Sequence, residues 1–580
     1  MSTDQTILDE AKENYKIAVD GWQHIYDEAK EDLAFVYDVG QGQWPAEVRK
    51  ARGTRPIITV NKLQKFVRQI RGDMMQNRPR IKVIPVDNKA DVQMAGLYND
   101  LIRQIEYLSS AEIAYDTAYG HAVACSVGYF RLITDYAEDT SFKQDIYIKR
   151  IINPFAVHFD PRAVEFNMED AQFCFFEDRM TKKEFERRYK GAEAANFDGL
   201  SETFGDWLNN DDLRIAEYFW KEPVKTEIVQ LRTGEVLELN KKVTVARLKA
   251  AGGEIVKNRT VDSHKVMWCK MTGTEILEQS EWSGYYIPII PVFGDEIVAD
   301  GKRFYLSATR GAKGPQQMYN YWATAATENV AMSPKAPFIL EARQIKGFER
   351  EWDDANVKNA MYIRYHAIAG LNKPQREQQT QVPVAIIGML QSTAYDIEDH
   401  LGRYEASKGQ ASNERSGVAI KERVAQSDKG TYTFVDNMTR AVIYAGRQII
   451  DLIPKVYDTK RALQIMGENG EHQVVNVNVP TIGPDGKPAL ENDLSVGTYD
   501  IVATVGASSS SKRQEMVAMM TDSMQYAPSI APIIAPLIFK YSDWPGAEEV
   551  YQELKKSIEQ QQMMAAAQGG GTPAPTGAVK

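Results

Sequence analysis

Apolar residues at the start of the chain recur at spacings of three and four: Leu8, Ala11, Tyr15, Ala18, Trp22, Ile25, Ala29, Leu33 and Val36. That spacing lines one face of a helix, so it predicts one or two amphipathic helices with Gly21 as a bend. A second stripe, Leu63, Phe66, Val67, Ile70 and Met74, predicts a helix with Lys62, Lys65, Arg68 and Arg71 off the apolar line. A third helical run spans about Ala90 to Ala124, broken near Ser109-Ser110. From Val127 to about Pro291 the period changes. Tyr129–Ile133, Ile146–Ile148, Phe173–Phe176, Ile215–Trp220, Val266–Trp268 and Ile287–Val292 read as short strands. Within this mixed region Thr181-Lys182-Lys183-Glu184 is a capping box that opens a short helix.

Helical periods then return. Pro315 suits a first helical position, Met318, Trp322, Ala325 and Ala326 follow at helical spacing, and Ser333-Pro334 stops the run. Pro334-Lys335-Ala336-Pro337 is an extended link, and Pro383 opens another helix to about Tyr404. Ser407 to Gly417 is small and polar and reads as a flexible loop. Val418 to about Asp451 reads as a long helix with Gly430 as a candidate interruption. Asn469-Gly470 between Gln464–Met466 and Val474–Val477 signals a hairpin, and Tyr499–Val505 a strand. Ser511-Lys512-Arg513-Gln514 caps a helix to about Tyr526, Trp544-Pro545 opens a last one, and the Gly- and Pro-rich tail from 568 to 580 is expected to be disordered.

At 580 residues, with 43% hydrophobic and 26% charged positions, the chain is globular and large enough for two to four domains. No run of 18 apolar residues occurs, which predicts no membrane span, and the acidic N-terminus lacks the features of a signal peptide. Cys125, Cys174 and Cys269 are far apart, as expected of free buried thiols rather than a metal site. The net charge of −10 argues against a free-standing, tight DNA binder.

Charge is unevenly placed. Residues 1–48 hold eleven acids and three bases; residues 49–82 hold eleven bases and only Asp73 as an acid. The basic stretch has three readings: a solvated helix face, a charge-complementary contact between neighbouring subunits, or a DNA contact. Catalytic signatures are not found. There is no GxxxxGK[ST] phosphate loop, no HExxH and no GxSxG elbow. The acid pairs Asp211-Asp212 and Asp353-Asp354 read as solvated turns or helix starts, and His121, His158 and His366 as structural groups.

Gly314-Pro315-Gln316-Gln317-Met318-Tyr319-Asn320-Tyr321-Trp322 resembles the Asp-Pro-Gln-Arg-x-x-Asn-Tyr-Trp segment of portal proteins from short-tailed bacteriophages. Gly314 replaces the usual Asp, a weaker cap, and Gln317 replaces a frequent Arg. Other stretches resemble the family in the same order: Arg55–Lys62, Asn77–Val83, Asn153-Pro154-Phe155, Phe159-Asp160-Pro161, Asp170-Ala171, Ile287–Pro291, Ser416–Ile420 and Gly497–Ile501.

The resemblance implies an α+β portal fold with helical stem and crown and a strand-rich wing and clip, assembled as a ring. It implies a non-enzymatic dodecamer at one capsid vertex, without cofactors, in the virion and in the host cytoplasm during assembly. Its partners would be the major capsid protein, scaffolding protein, terminase, a head-tail adaptor and the double-stranded DNA in the channel, with no membrane. An acidic channel wall would let DNA slide. The expected layout is an N-terminal wing over 1–214, a strand-rich clip or wing region over 215–295 and the stem region over 296–335. The wing return, tunnel loop and long helix follow over 336–460, a β-rich segment over 461–510 and a helical crown over 511–567. Gln316, Asn320 and Trp322 mark the stem helix; Arg403, Lys408 and Arg415 belong to a tunnel loop touching DNA; Lys62, Lys65, Arg68 and Arg71 are assigned to a subunit interface. Rival readings are a phage nucleic-acid-processing enzyme and another ring-forming virion protein such as a head-tail adaptor.

Overall fold

The computed structural model describes residues 3–76, 78–86, 91–193, 212–232, 236–239, 254–332, 338–356, 361–376, 384–401, 432–467, 472–482 and 488–505, with residues 531–540 and scattered positions between 517 and 557. The first stripe forms one unbroken helix, α1 (Thr3–Tyr37). Gly21 does not bend it: a Cβ there would lie 2.5 Å from Cβ of Pro161, so the glycine lets α1 lie close against the 157–161 segment. A short helix α2 (Ala46–Arg52) leads to α3 (Leu63–Gln76), strand β1 (Pro79–Pro85), and the pair α4 (Val92–Ser109) and α5 (Ala111–Cys125). The break between α4 and α5 is where it was expected, with Ser110 in the left-handed region at φ 48°.

The strand-rich region extends further than its apolar cores. It comprises β2 (Val127–Tyr136), β3 (Gln144–Arg150), β4 (Val157–Phe159), β5 (Phe173–Thr181), helix α6 (Lys182–Arg188), β6 (Asp212–Leu231), β7 (Val236–Glu238), β8 (Ile255–Met271), β9 (Ile276–Glu281) and β10 (Ile289–Phe293). Thr181 caps α6 by accepting from the backbone N–H of Glu184. A hairpin not read from the sequence follows, β11 (Asp295–Ala299) with β12 (Lys302–Leu306). The Asp300-Gly301 turn between them has φ of 50° and 73°, and that dipeptide was its available signal. One sheet runs β4-β5-β6-β8-β9, with β7 beside β6; another runs β10-β2-β3. The predicted boundaries at 214/215 and 295/296 fall inside β6 and β11, so continuous strands cross both.

Helix α7 (Lys313–Met332) comes next, then β13 (Phe338–Ile339), α8 (Glu349–Asp353), β14 (Gln375–Arg376), α9 (Val384–His400) and α10 (Tyr432–Val456). The hairpin β15 (Arg461–Met466) and β16 (His472–Val477) is in its expected place. After it come β17 (Val479–Ile482), β18 (Pro488–Glu491), β19 (Tyr499–Val505) and a helix over the Pro-containing apolar run, α11 (Ala531–Lys540). β19 pairs antiparallel with β1, bringing Ile81 opposite Ala503.

The largest core joins α3, α4, α5 and α10 to β1, β2, β3, β10, β15 and β19. Gly446 of α10 approaches Ile501 and Ile81, so the helix lies directly on the β1–β19 ribbon. The first half of α1 packs Leu8, Ala11, Tyr15 and Ala18 against Phe175, Tyr218 and Met271. The sheet of residues 215–281 therefore shares a core with the N-terminal helix rather than standing apart. The Pro334–Pro337 link, the 407–417 loop, the start of the long helix at Val418, the Asn469-Gly470 turn, the helix starts at Ser511 and Trp544, and the tail lie outside the described residues.

Candidate functional site

A small core of Phe35, Leu63, Phe66, Ala312, Ile397 and Leu401 is the root from which α7 rises. It gathers the end of α1, the start of α3, the start of α7 and the end of α9. The first turn of α7 therefore meets the last turn of α9, and the two helices pack antiparallel. A single 3-10 turn, Arg310–Ala312, leads into α7. Pro315 thus sits inside the first turn, not at the first helical position; its N–H would have had no helical partner there either.

The buried line of α7 is polar. Gln316, Asn320 and Thr324, four residues apart, are all fully buried, whereas Met318 and Tyr321 are each 48% exposed and Trp322 is half-buried. Met318 and Trp322 keep the helical spacing that marked this helix, but its fully buried line is the polar one. What covers the polar line is the extended segment 57–62, whose Ile57, Ile58, Thr59 and Val60 favour an extended backbone.

The three side chains take the place of a neighbouring strand. Thr324 Oγ1 accepts from Ile58 N–H (3.1 Å) and donates to Ile58 O (3.4 Å). Asn320 Oδ1 accepts from Val60 N–H (3.0 Å). Gln316 Oε1 accepts from Lys62 N–H (3.2 Å), and its Nε2 donates to Val60 O (2.8 Å) and to Asn320 Oδ1 (2.9 Å). Asn320 Nδ2 donates to Gln43 Oε1, and Gln43 Nε2 to Phe35 O. On the other side of the strap Trp44 Nε1 donates to Thr59 Oγ1 and Asn61 Nδ2 to Val36 O. The N–H and C=O of Ile58 and Val60 and the N–H of Lys62 each find a partner on α7, which fixes the register of the strap without a sheet.

A charged cluster sits beside this zipper. Asp32 of α1 is fully buried. It accepts from Ser307 Oγ (2.8 Å) and Arg310 Nε (2.9 Å) and pairs with Lys313 Nζ at 2.5 Å. Glu28 pairs with Arg310, and Glu31 with Lys313 at 2.9 Å. These acids of the 1–48 stretch are matched by cations at the start of α7 in the same chain.

The residues assigned to a subunit interface divide. Lys62 Nζ stands 4.3 Å over the Tyr319 ring. Arg71 packs against Gly120, and burial, helped by the Arg71 charge, holds His121 down to about 4. Lys65 and Arg68 are exposed. Arg403, Lys408 and Arg415 lie outside the described residues.

Glu177 accepts from Tyr15 and His158 and lies near Arg214. Burial pushes its carboxyl up, but His158, Tyr15 and Arg214 together bring it below its usual value. Burial pushes the thiols of Cys125 and Cys269 up to about 12, and Cys174 is raised too. Thiols so held stay protonated and unreactive. Among the described residues no helix is long and apolar enough to cross a membrane. The polar zipper was half legible: its two sequence segments stood out, but not that they meet.

A family model for phage P22-like portal proteins matches residues 12–576. A protein of Acyrthosiphon pisum secondary endosymbiont phage 1, named a portal protein, is 23% identical over 513 residues, covering 83% of this chain and 70% of the relative. The matched span contains both halves of the zipper, and the chain belongs to the phage P22-like portal protein family.

Proposed function

We propose that this phage portal protein works as a ring, of twelve subunits by resemblance to the family, at one capsid vertex, where DNA enters and leaves. The observation that carries this reading is the outward face of the α7–α9 pair. Val384, Ile387, Met389 and Tyr395 on α9 and Met318 and Tyr321 on α7 leave large apolar side chains exposed in the single chain. Packing copies side by side buries such faces and makes the pair a stem around a channel.

The segment 338–376 connects the far ends of α7 and α9. In this reading that segment, rather than 215–295, is the clip that meets terminase and the head-tail adaptor. Residues 405–417, with Arg403, Lys408 and Arg415, form the tunnel loop. Their contacts with DNA phosphates are few and salt-screened, because tight binding would stall translocation. Capsid and scaffolding protein surround the wing, and the ATP chemistry of packaging belongs to the partner motor. Native mass spectrometry with negative-stain imaging tests the ring: a closed assembly with a central hole is expected, and a monomer persisting at high concentration would overturn it. Deleting 408–415 should leave the ring intact and impair DNA packaging or retention.

A further inference from the structure

Three of the α1 acids that were candidates to meet the basic stretch, Glu28, Glu31 and Asp32, are taken by Arg310 and Lys313 within the chain. The exposed cations of that stretch still want a partner. Lys50, Arg55, Lys65 and Arg68 are exposed and make no ion pair with a described residue, and Val60 between them is 40% exposed. At the tip of the β2–β3 hairpin the opposite surface occurs. Asp135, Glu138 and Asp139 are exposed there, beside Tyr136 at 54% and Phe142 at 98% exposure. The tip is a loop over residues 137–143, closed by Ala137 N–H donating to Lys143 O and Ser141 N–H donating to Glu138 O, and its aromatic side chains stand out at the end of a ribbon.

The two surfaces lie at opposite ends of one layer. Arg71 packs at Gly120, while Arg78 pairs with Asp116 and Glu112, so α3 runs antiparallel to α5 and Lys65 lies beyond the Cys125 end. At the other end, Ile148 N–H donates to Ser109 Oγ, and the ribbon continues four residue pairs past that point to Tyr136 opposite Gln144. The length of α5 and of that ribbon together separate them by roughly 35 Å. They do not meet within one chain.

We propose that the exposed face of α3, with Lys65 and Arg68 in its first half, docks the β2–β3 tip of a second copy. Glu138 and Asp139 face the cations there, and Phe142 is covered in the contact. The occupant is a copy of this chain because it carries both complementary surfaces at opposite ends, the arrangement that a head-to-tail contact requires to close a ring. This inference rests on the ring reading. DNA phosphate is the rival partner for the cations, but it gives no role to an exposed phenylalanine.

The test uses the full chain and compares Lys65→Glu/Arg68→Glu, Glu138→Lys/Asp139→Lys and the combination of all four, at low salt. Sedimentation velocity and native mass spectrometry read the concentration of half-assembly. Each pair reversal should raise it about tenfold or more, and the combined variant should recover to within about threefold of wild type. Phe142→Ser, a change at an exposed tip, should also weaken assembly while leaving the thermal unfolding of the subunit unchanged. Normal assembly of the tip variants, or no recovery in the combined one, would overturn the docking. Intact rings with weakened DNA retention in the α3 variant would assign the cations to DNA instead. If wild type forms rings and the variants do too, only this contact fails; a wild-type monomer would overturn both readings.

Discussion

Asn320 Nδ2 donates to Gln43 Oε1 at 2.7 Å, tying the middle of α7 to the turn that follows α1. The same side chain accepts from Val60 N–H and from Gln316 Nε2. Asn320→Leu keeps the branched shape and removes all three bonds. It leaves the Val60 N–H, the Gln43 carbonyl and the Gln316 amide each short of a partner in a buried place. A loss of about 2–4 kcal/mol in urea unfolding is expected. A change below about 0.5 kcal/mol would mean that water replaces the network.

Asp32 faces two cations at once, Arg310 and Lys313. Removing it by Asp32→Ala leaves both without their buried partner, which should cost about 3 kcal/mol or more. A double-mutant cycle with Arg310→Gln separates the pair from the packing. Its coupling should be about 1 kcal/mol or more, and additive effects would show that Ser307 and solvent suffice for Asp32.

Helices with an apolar face were legible because periodicity reports burial directly: α1, α3, and the α4–α5 break at Ser110. Strand cores were legible for the same reason. What escaped the sequence was whatever depends on distant partners. β1 pairs with β19 across most of the chain, and nothing in Ile81 or Ala503 names the other. On α7 the helical spacing of Met318 and Trp322 marked the helix but not its buried line: Gln316, Asn320 and Thr324 found backbone partners in the strap, which makes burial of a polar line favourable. The acidic and basic stretches were visible as composition, yet the acids Glu28, Glu31 and Asp32 turned to Arg310 and Lys313.

Gly21 distinguishes a bend from a contact. In an ordinary helix interior Gly→Ala stabilises by about 0.5–1 kcal/mol. Here an added Cβ would meet Pro161 at 2.5 Å. Gly21→Ala should therefore destabilise, by about 1–3 kcal/mol, since overpacking outweighs the helix gain. Thermal unfolding settles the sign, and a stabilised variant would show that the 157–161 segment yields.

Glu106 and His121 give opposite pH slopes. Burial is the main cause that raises Glu106 to about 7, with Glu112 adding to it and the Tyr115 hydroxyl, Arg80 and Arg103 opposing. Its unfolded value is near 4.5. Below that value both states are protonated, and the contribution is whole. As pH rises toward 7 the unfolded chain ionises first, so stability falls by up to about 3 kcal/mol. His121, held at about 4 against 6.5 unfolded, contributes stability above 6.5 that is lost as pH falls toward 4. In wild type the two slopes largely cancel between pH 4.5 and 6.5. Glu106→Gln keeps an acceptor for Tyr115, which donates at 3.0 Å, and removes one slope. Its unfolding free energy should then rise with pH across that window and exceed that of wild type at pH 8. A Glu106→Gln profile that parallels wild type would show that this carboxyl reaches water and titrates near its ordinary value.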